Sequence, residues 1–318
     1  MCDPDDAALA LLGIDEERAV GALTEHLQQL HARQPARGVI MGLSGGLDSA
    51  VLASLAAHAL GTDSVHAVYL YDRDSERGCG SRAELVASRL GIDLETESIE
   101  SLWEARHGRA SLAVRVTRAS PLFNRLAFRL HRAMAGESPF VTSLRAGGAV
   151  DAGEDPGAML RTVHHLADEI FYVRHRLRRR VLEARAERDD LLLLGGANRT
   201  EWEVGWFVKD GVDDLPHQPL VEFYKTQVRQ LGRFLGVPRE VLEQAPSADM
   251  MPGVSDEFAL GMSYEVLDVA LEHLAGEVSE AAAAAAGVTD RHIAAVRQMK
   301  ELSRWKRQNG RMSAHLRA

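Results

Sequence analysis

Cysteine is nearly absent from this chain. Its 318 residues include only Cys2 and Cys79, with no C-x-x-C pair, which excludes a disulfide-stapled fold, a cysteine-built zinc site and a redox dithiol. Long hydrophobic runs are missing as well, none approaching the about eighteen apolar residues of a membrane span. The first residues, "MCDPDDAALALLG", are acidic where a secretory signal would be basic, so a cytoplasmic location without membrane contact is expected. Basic charge is in deficit, 37 Lys plus Arg against 46 Asp plus Glu for a net charge of −9. That balance argues against a surface built to wrap nucleic acid and for small-molecule chemistry. The 46% apolar content suffices for the core of one large α/β domain or two small ones.

What is present alternates. Residues 16–32, "EERAVGALTEHLQQLHA", carry helical spacing, and "GVIMGL" reads as a buried strand. The run "DSAVLASLAAHAL" predicts a helix stopping at Gly61, "SVHAVYLY" a second strand, "SRAELVASRLG" a second helix and "DLETESI" a third strand. This order predicts parallel βαβ units in an α/β, doubly wound, mostly parallel sheet flanked by helices. From 105 to 168 the pattern breaks into Arg-rich text with a loop-like "RAGGAVDAGEDPGA", expected to be an inserted helical segment or a lid. The stretch "DEIFYVRHRLRRRVLEARAER" then predicts a helix with Ile170, Val173, Leu177 and Val181 on one face and arginines on the others. The strand "DLLLLGG" follows, then helices at "YKTQVRQLGRFLG", 260–275 and 289–306, with "SEAAAAAAG" as a connecting helix.

Between the first strand and its helix stands "SGGLDS", residues 44–49. A strand, a glycine turn and a helix start place free backbone N–H groups and a positive dipole end at one point, which suits a phosphate. The string is neither the G-x-G-x-x-G fingerprint nor a G-x-x-x-x-G-K-S/T loop, because no Lys follows. Ser44 and Ser49 offer hydroxyls instead. The Asp48 carboxylate would repel a phosphate unless a divalent cation lay between, which implies magnesium. The plain alternative is a turn whose Asp48 or Ser49 merely caps the helix.

The string resembles the pyrophosphate loop of the ATP pyrophosphatases, the fold class also called adenine nucleotide alpha hydrolase-like. The later stretches "LLLLGGANRTEWEVGWFVKDG", "PLVEFYKTQVRQLGRFLGVPREVLEQAPSADMMPGVSDEFALGMSYEVLD" and "SRWKRQ" resemble NAD synthetase of the ammonia-dependent type. There the patterns run G-T-x-N-x-S-E, K-T-Q-V, P-S-A-D-L, D-E and, near the end, H-K-R. The resemblance covers residues 38–100 and 170–310 and implies one domain over 1–318. It implies that Ser44, Gly45, Gly46, Asp48 and Ser49 hold the ATP phosphates, that Asp48 and Glu201 bind Mg2+, and that Lys225 and Ser247 contact the triphosphate, with Asp48, Lys225 and Ser247 carrying catalysis. Arg176, Lys209 and Asp249 would face the acceptor. Taken one at a time, Glu201 reads equally as a solvated helix-start acid, Lys225 as a surface lysine and the arginine run as a wet helix face or an interface feature.

Several positions depart from the family pattern. Gly196 stands for the Thr of G-T-x-N, Tyr172 for the Asn opening N-x-K-A-R-x-R-M, Val212 for the acid of K-Y-G-D-G and Trp305 for the His of H-K-R. Most of these lie, by resemblance, on the acceptor side, where one lost polar contact can shift specificity by orders of magnitude. The resemblance implies an ATP-dependent, AMP-forming amide ligase that adenylates a carboxylate and amidates it with ammonia, working as a homodimer. Deamido-NAD is the default acceptor, with a different carboxylate of specialised biosynthesis as the alternative. A tRNA-modifying enzyme of the same loop type and a non-catalytic nucleotide-binding module stand further off.

Overall fold

A computed structural model of the protein describes residues 4–73, 75–76, 78–107, 111, 115–117, 120–246 and 251–307. Four strands form one sheet, β1 (Gly38–Gly42), β2 (Val65–Tyr71), β3 (Leu94–Ser98) and β4 (Leu191–Leu194), in the order β3-β2-β1-β4. All neighbours run parallel, with Val39 opposite Val65 on one side of β1 and Gly38 opposite Leu191 on the other. The chain builds outward from β1 to β3, then crosses to the far side of β1 for β4. The carboxyl ends of β1 and β4 therefore flank the point where the winding reverses, the place where open α/β sheets bind ligands.

Helices cover both faces, as expected for a parallel sheet whose strands β1, β2 and β4 are largely apolar and buried, while the edge strand β3 (LETES) is polar. On one face Glu16–Arg33, Leu47–Leu60, Cys79–Leu90 and Lys225–Phe234 pack around Val39, Met41, Leu55 and Val228. On the other, Trp103 and the helix Val173–Asp189 cover Ile40 and Val68. A third cluster, around Tyr264, Leu267 and Val296, joins the C-terminal helices Tyr264–Ala275 and Asp290–Leu302.

The differences from expectation have local causes. The helix expected over 260–275 is cut at Gly261 (φ 85°), and Ser263 caps a new helix from Tyr264 through Val266 N. The helix expected from Asp168 opens as a π-turn, Asp168–Tyr172, before continuing as Val173–Asp189. The expected 289–306 helix ends at Leu302 and continues as a tighter turn, Arg304–Arg307. Residues 121–135, 139–151 and 158–167 of the segment between 105 and 168 are helical, each of the first two started by a serine cap and a proline.

The arginine run is not a wet face. Arg174 is 1% exposed, with its Nε 3.3 Å from Asp72 Oδ2. Arg178 reaches the same carboxylate and the Leu70 carbonyl, and Arg185 grips Glu95 and Glu97 on β3. Arginines pair well with buried carboxylates because the planar fork is weakly hydrated. Three arginines thus tie the helix to the sheet's acidic rim, which apolar periodicity alone would not reveal.

Candidate active site

Gly45 makes the turn after β1. Its φ is +79°, and a Cβ there would sit 2.2 Å from the Cys79 carbonyl oxygen, so only glycine fits. Arg82 Nε donates to the Gly45 carbonyl at 3.2 Å and holds the turn from outside. Within the loop, Ser49 Oγ donates to Gly46 O and accepts from Ser44 N, and Gly46 N donates to Ser44 Oγ. The helix Leu47–Leu60 starts at Gly46 without a side-chain cap. Asp48 and Ser49 are therefore not capping residues, and the positive helix end is left for a ligand.

Asp48 instead meets residues delivered from the end of β4. Asn198 is fully buried; its Oδ1 accepts from Glu201 N at 3.0 Å, starting the helix Arg199–Val204, while its Nδ2 donates to Asp48 Oδ1 at 3.0 Å. Lys225 opens the helix Lys225–Phe234, and its Nζ donates to Asp48 Oδ2 and to Glu201 Oε1, the latter at 3.1 Å. Lys225 is 5% exposed, so neither it nor Glu201 is the solvated surface charge that each allows when read alone. Burial pushes the Glu201 carboxyl up to about 8, with Lys225 pulling it back and Asp48 adding to the rise. Burial disfavours the Lys225 ammonium, yet Asp48 and Glu201 outweigh it and hold the group charged.

Beneath this triad lies Asp268, fully buried, accepting from Thr200 Oγ1 at 2.5 Å and from Thr226 N at 3.0 Å. Thr200 Oγ1 in turn accepts from Lys225 N at 2.8 Å. This one acid locks together the two helix starts that present Glu201 and Lys225. Burial raises it to about 7, the Thr200 and Thr226 bonds working the other way. Asp256, a third buried acid facing the triad, accepts from the Tyr264 hydroxyl at 3.1 Å and rises to about 6, chiefly by burial.

Ser44, Asp48, Ser49, Glu201 and Lys225 line one cleft of about 520 Å³. Ser247 and Asp249 lie outside the described residues, although Pro246 and Met251 on either side line the same cleft. Two expected acceptor residues are not among its lining. Arg176 pairs with Asp168 at 3.2 Å and points Nε at the Lys209 carbonyl, and Lys209 pairs with Asp151 at 2.7 Å over the Trp305 ring. Trp305 donates from Nε1 to Leu144 O and lies against Gly147 and Gly148. Gly196 sits beside the loop backbone with ordinary van der Waals room for a Cβ, so its departure from Thr is not forced by space.

Sequence reasoning missed several groups in the cleft and beneath it. Lys306 is 4% exposed, donates to the Gly205 and Phe207 carbonyls, and is pushed down to about 7 by burial and then by Arg307. Its signal was the Lys of "SRWKRQ". Asn198 was legible in "GGANRTE". The distant Asp268 and the contact of His175 Nδ1 with Asp213 Oδ2, 2.7 Å, carried none.

A protein-family model described as NAD synthase matches residues 19–136 and 159–310. Among relatives named NH3-dependent NAD+ synthetase, one from Thermotoga maritima is 32% identical over 232 residues, spanning 73% of this chain and 78% of its own. Another, from Coprothermobacter proteolyticus, is 30% identical over 254 residues, spanning 79% and 83%. Among solved structures, a Francisella tularensis NMN synthetase superposes with TM-score 0.66 at 24% identity, covering 94% of this chain and 98% of that one. An NH3-dependent NAD synthetase from Campylobacter jejuni gives 0.62 at 16% identity, covering 94% and 99%. At those identities the two structures speak for the fold.

Proposed function

Because the chain belongs to the NAD synthase family, an ATP-using ligase family, we propose that it amidates deamido-NAD with ammonia, cleaving ATP to AMP and pyrophosphate. The observation that carries this reading is Lys225 between Asp48 and Glu201 at the mouth of an uncapped helix start. The acceptor carboxylate attacks the α-phosphorus, the bond to the β-phosphate oxygen breaks, and pyrophosphate leaves into the loop. Backbone N–H groups of residues 47–49 and the Lys225 ammonium offset the charge that develops there, so fixed electrostatics supply most of the rate. Ser247 and Asp249 keep their proposed phosphate-side and acceptor-side roles.

The donor set fits Mg2+. Asp48 and Glu201 converge on one point, while among the described residues no three Asp, Glu, His or Cys side chains do. Two carboxylates completed by substrate phosphates and water is the coordination this ion favours. When bound, it would neutralise phosphate charge. Asp48 and Glu201 would hold it, displacing the Lys225 ammonium toward the phosphates.

A second reading concerns the acceptor. Arg176 and Lys209 are engaged by Asp168 and Asp151 outside the cleft, which favours a carboxylate other than the full dinucleotide, the deamidated mononucleotide among them. We also read the segment 105–168 as an inserted cap, since Asn124, Phe128 and His131 line the cleft, and the chain as a cytoplasmic homodimer. The helix Pro121–Ala135 leaves Leu122, Leu126, Leu130 and Met134 exposed along one face, 57% or more, a stripe suited to a second copy. No helix among the described residues is long and apolar enough to cross a membrane.

The test is pyrophosphate release from ATP and magnesium with ammonium and either acid, the amide identified by mass. Turnover with deamido-NAD upholds the first reading, turnover with the mononucleotide alone the second, and turnover with neither overturns both.

A further inference from the structure

Two residues of the cleft wall have no part in holding phosphate. His175 lies in the first turn of the helix Val173–Asp189, Asp213 lies in the loop after Lys209, and both line the cleft. His175 Nδ1 is buried and lies 2.7 Å from Asp213 Oδ2, a close contact rather than an aligned hydrogen bond. Nε2 is left as the solvent-reaching nitrogen of the ring, with no hydrogen-bond partner among the described residues. The family pattern quoted above has Ala at 175 and Gly at 213, and its acid at 212 is Val here. The wall has lost one titratable group and acquired a pair.

The pair is fixed to the phosphate loop. Val212 N donates to His175 O at 3.2 Å, and a Cβ on Gly211 would come 2.9 Å from His175 Cβ, so this loop lies flat on the helix. The Asp213 carbonyl accepts from Gln218 Nε2 at 3.0 Å, and Gln218 Oε1 accepts from Ala197 N at 2.9 Å. The next residue, Asn198, holds Asp48. Gln218 is 2% exposed and leaves Gly195 no room for a side chain. Hydrogen bonds joined through the backbone thus run from Asp48 to Asp213, whose carboxylate lies 2.7 Å from the imidazole. The charged groups on the elements packed here include Arg176, Arg178 and Arg179 on its own helix, the last donating to the Asp214 carbonyl, Asp210 and Asp214 on the loop, and Lys306, whose amine feels Asp213; Glu201 feels Asp213 as well.

We propose that His175, oriented by Asp213, is the general base of the amidation half-reaction. This rests on the ligase reading of the same cleft. Once the acceptor carries AMP on its carboxyl, the ammonia lone pair attacks that carbonyl carbon. The C–N bond forms, the C–O bond to AMP breaks, AMP departs as the phosphate monoester anion, and one nitrogen-bound proton passes to His175 Nε2 and then to solvent. An Asp that fixes the imidazole through its far nitrogen is the usual way to aim such a base. Asp213 is a positioning residue.

The two half-reactions can be read separately, because exchange of labelled pyrophosphate into ATP needs acceptor and magnesium but no ammonia. His175→Ala and His175→Gln are expected to lower kcat/KM for ammonium by about 10²-fold while exchange stays at the wild-type level, which also reports an intact fold. Asp213→Asn is expected to lower kcat for amidation by a smaller factor with the acceptor KM unchanged. Hydroxylamine, a weaker base that is unprotonated at neutral pH, should restore much of the lost rate in both. Equal loss of exchange and amidation, or no loss of either, overturns the base. A wild-type protein that exchanges pyrophosphate yet forms no amide, or does neither, overturns the ligase reading and the base with it.

Discussion

The two walls of the cleft are built in different ways. On the phosphate wall, Ser44–Ser49, Asn198, Glu201 and Lys225 all sit where a strand ends or a helix begins, and each side chain is held by a backbone amide or by another buried group. On the side proposed for the acceptor, Tyr172 lines the cleft and closes a π-turn, while outside the lining Asp210 takes a left-handed φ of 61° and Lys209 and Trp305 lean on the helix Pro139–Asp151. All of that helix falls in the gap, 137–158, between the two stretches matched by the family model. Three of the four departures from the family pattern, Tyr172, Val212 and Trp305, lie on this second side, whereas Gly196 sits beside the phosphate loop. Positions fixed by element ends change only with the fold, whereas positions fixed by side-chain pairs can be exchanged a pair at a time.

The sharpest way to break the comparison is on the phosphate wall. Lys225→Met should reduce pyrophosphate release by about 10³-fold, the scale of losing one preorganised donor, with the deficit persisting at saturating ATP. Asp48→Ala should abolish turnover and leave the fold intact; unchanged turnover in a steady-state assay would remove Asp48 from the site. Asp268 offers a quieter probe of the same wall. Its carboxyl stays protonated in the folded state up to about 7, whereas in the unfolded chain it ionises near its ordinary value. Its contribution to stability is therefore complete at low pH and is lost as pH rises toward 7, by up to about 1.4 kcal/mol per pH unit. Asp268→Asn should flatten that slope in urea titrations between pH 4 and 7; an unchanged slope would locate it elsewhere.

The sequence made the phosphate wall legible because its residues are contiguous with strand-to-helix signals. "SGGLDS" and "GGANRTE" each follow an apolar run, and strand order follows from alternation. It did not reveal that Asp268, 43 residues beyond Lys225, bonds beneath it, since nothing local marks a buried acid. The arginine helix misled for a related reason. Periodicity assigns charge to the outside, but Asp72 and Glu95 at the sheet's rim make an inside for Arg174 and Arg185. Acceptor-side contacts were illegible because they join residues from three separate stretches, Asp151, Lys209 and Trp305.

Those contacts supply the milder tests. Gly147 and Gly148 stand inside a helix, where each costs about 1 kcal/mol relative to Ala, and a Cβ on Gly147 would meet the Trp305 ring at 2.4 Å. Gly147→Ala should destabilise by about 1–3 kcal/mol through overpacking, and the same change made with Trp305→Ala should instead show the helix gain. A double-mutant cycle by thermal unfolding measures that coupling, and additivity would mean that the indole is not seated there.

Asp151→Asn should have the smallest effect and the most specific one. Lys209 and Asp151 are both partly exposed, 19% and 30%, so their pair is worth at most about 1 kcal/mol. Removing the carboxylate leaves the ammonium over Trp305 and free to meet an acidic acceptor. The acceptor KM should then fall by up to about fivefold, while the KM for ATP, which depends on the other wall, stays where it was. If both constants move together, the walls are coupled through more than Gln218. If neither moves, Lys209 has no part in gripping the acceptor.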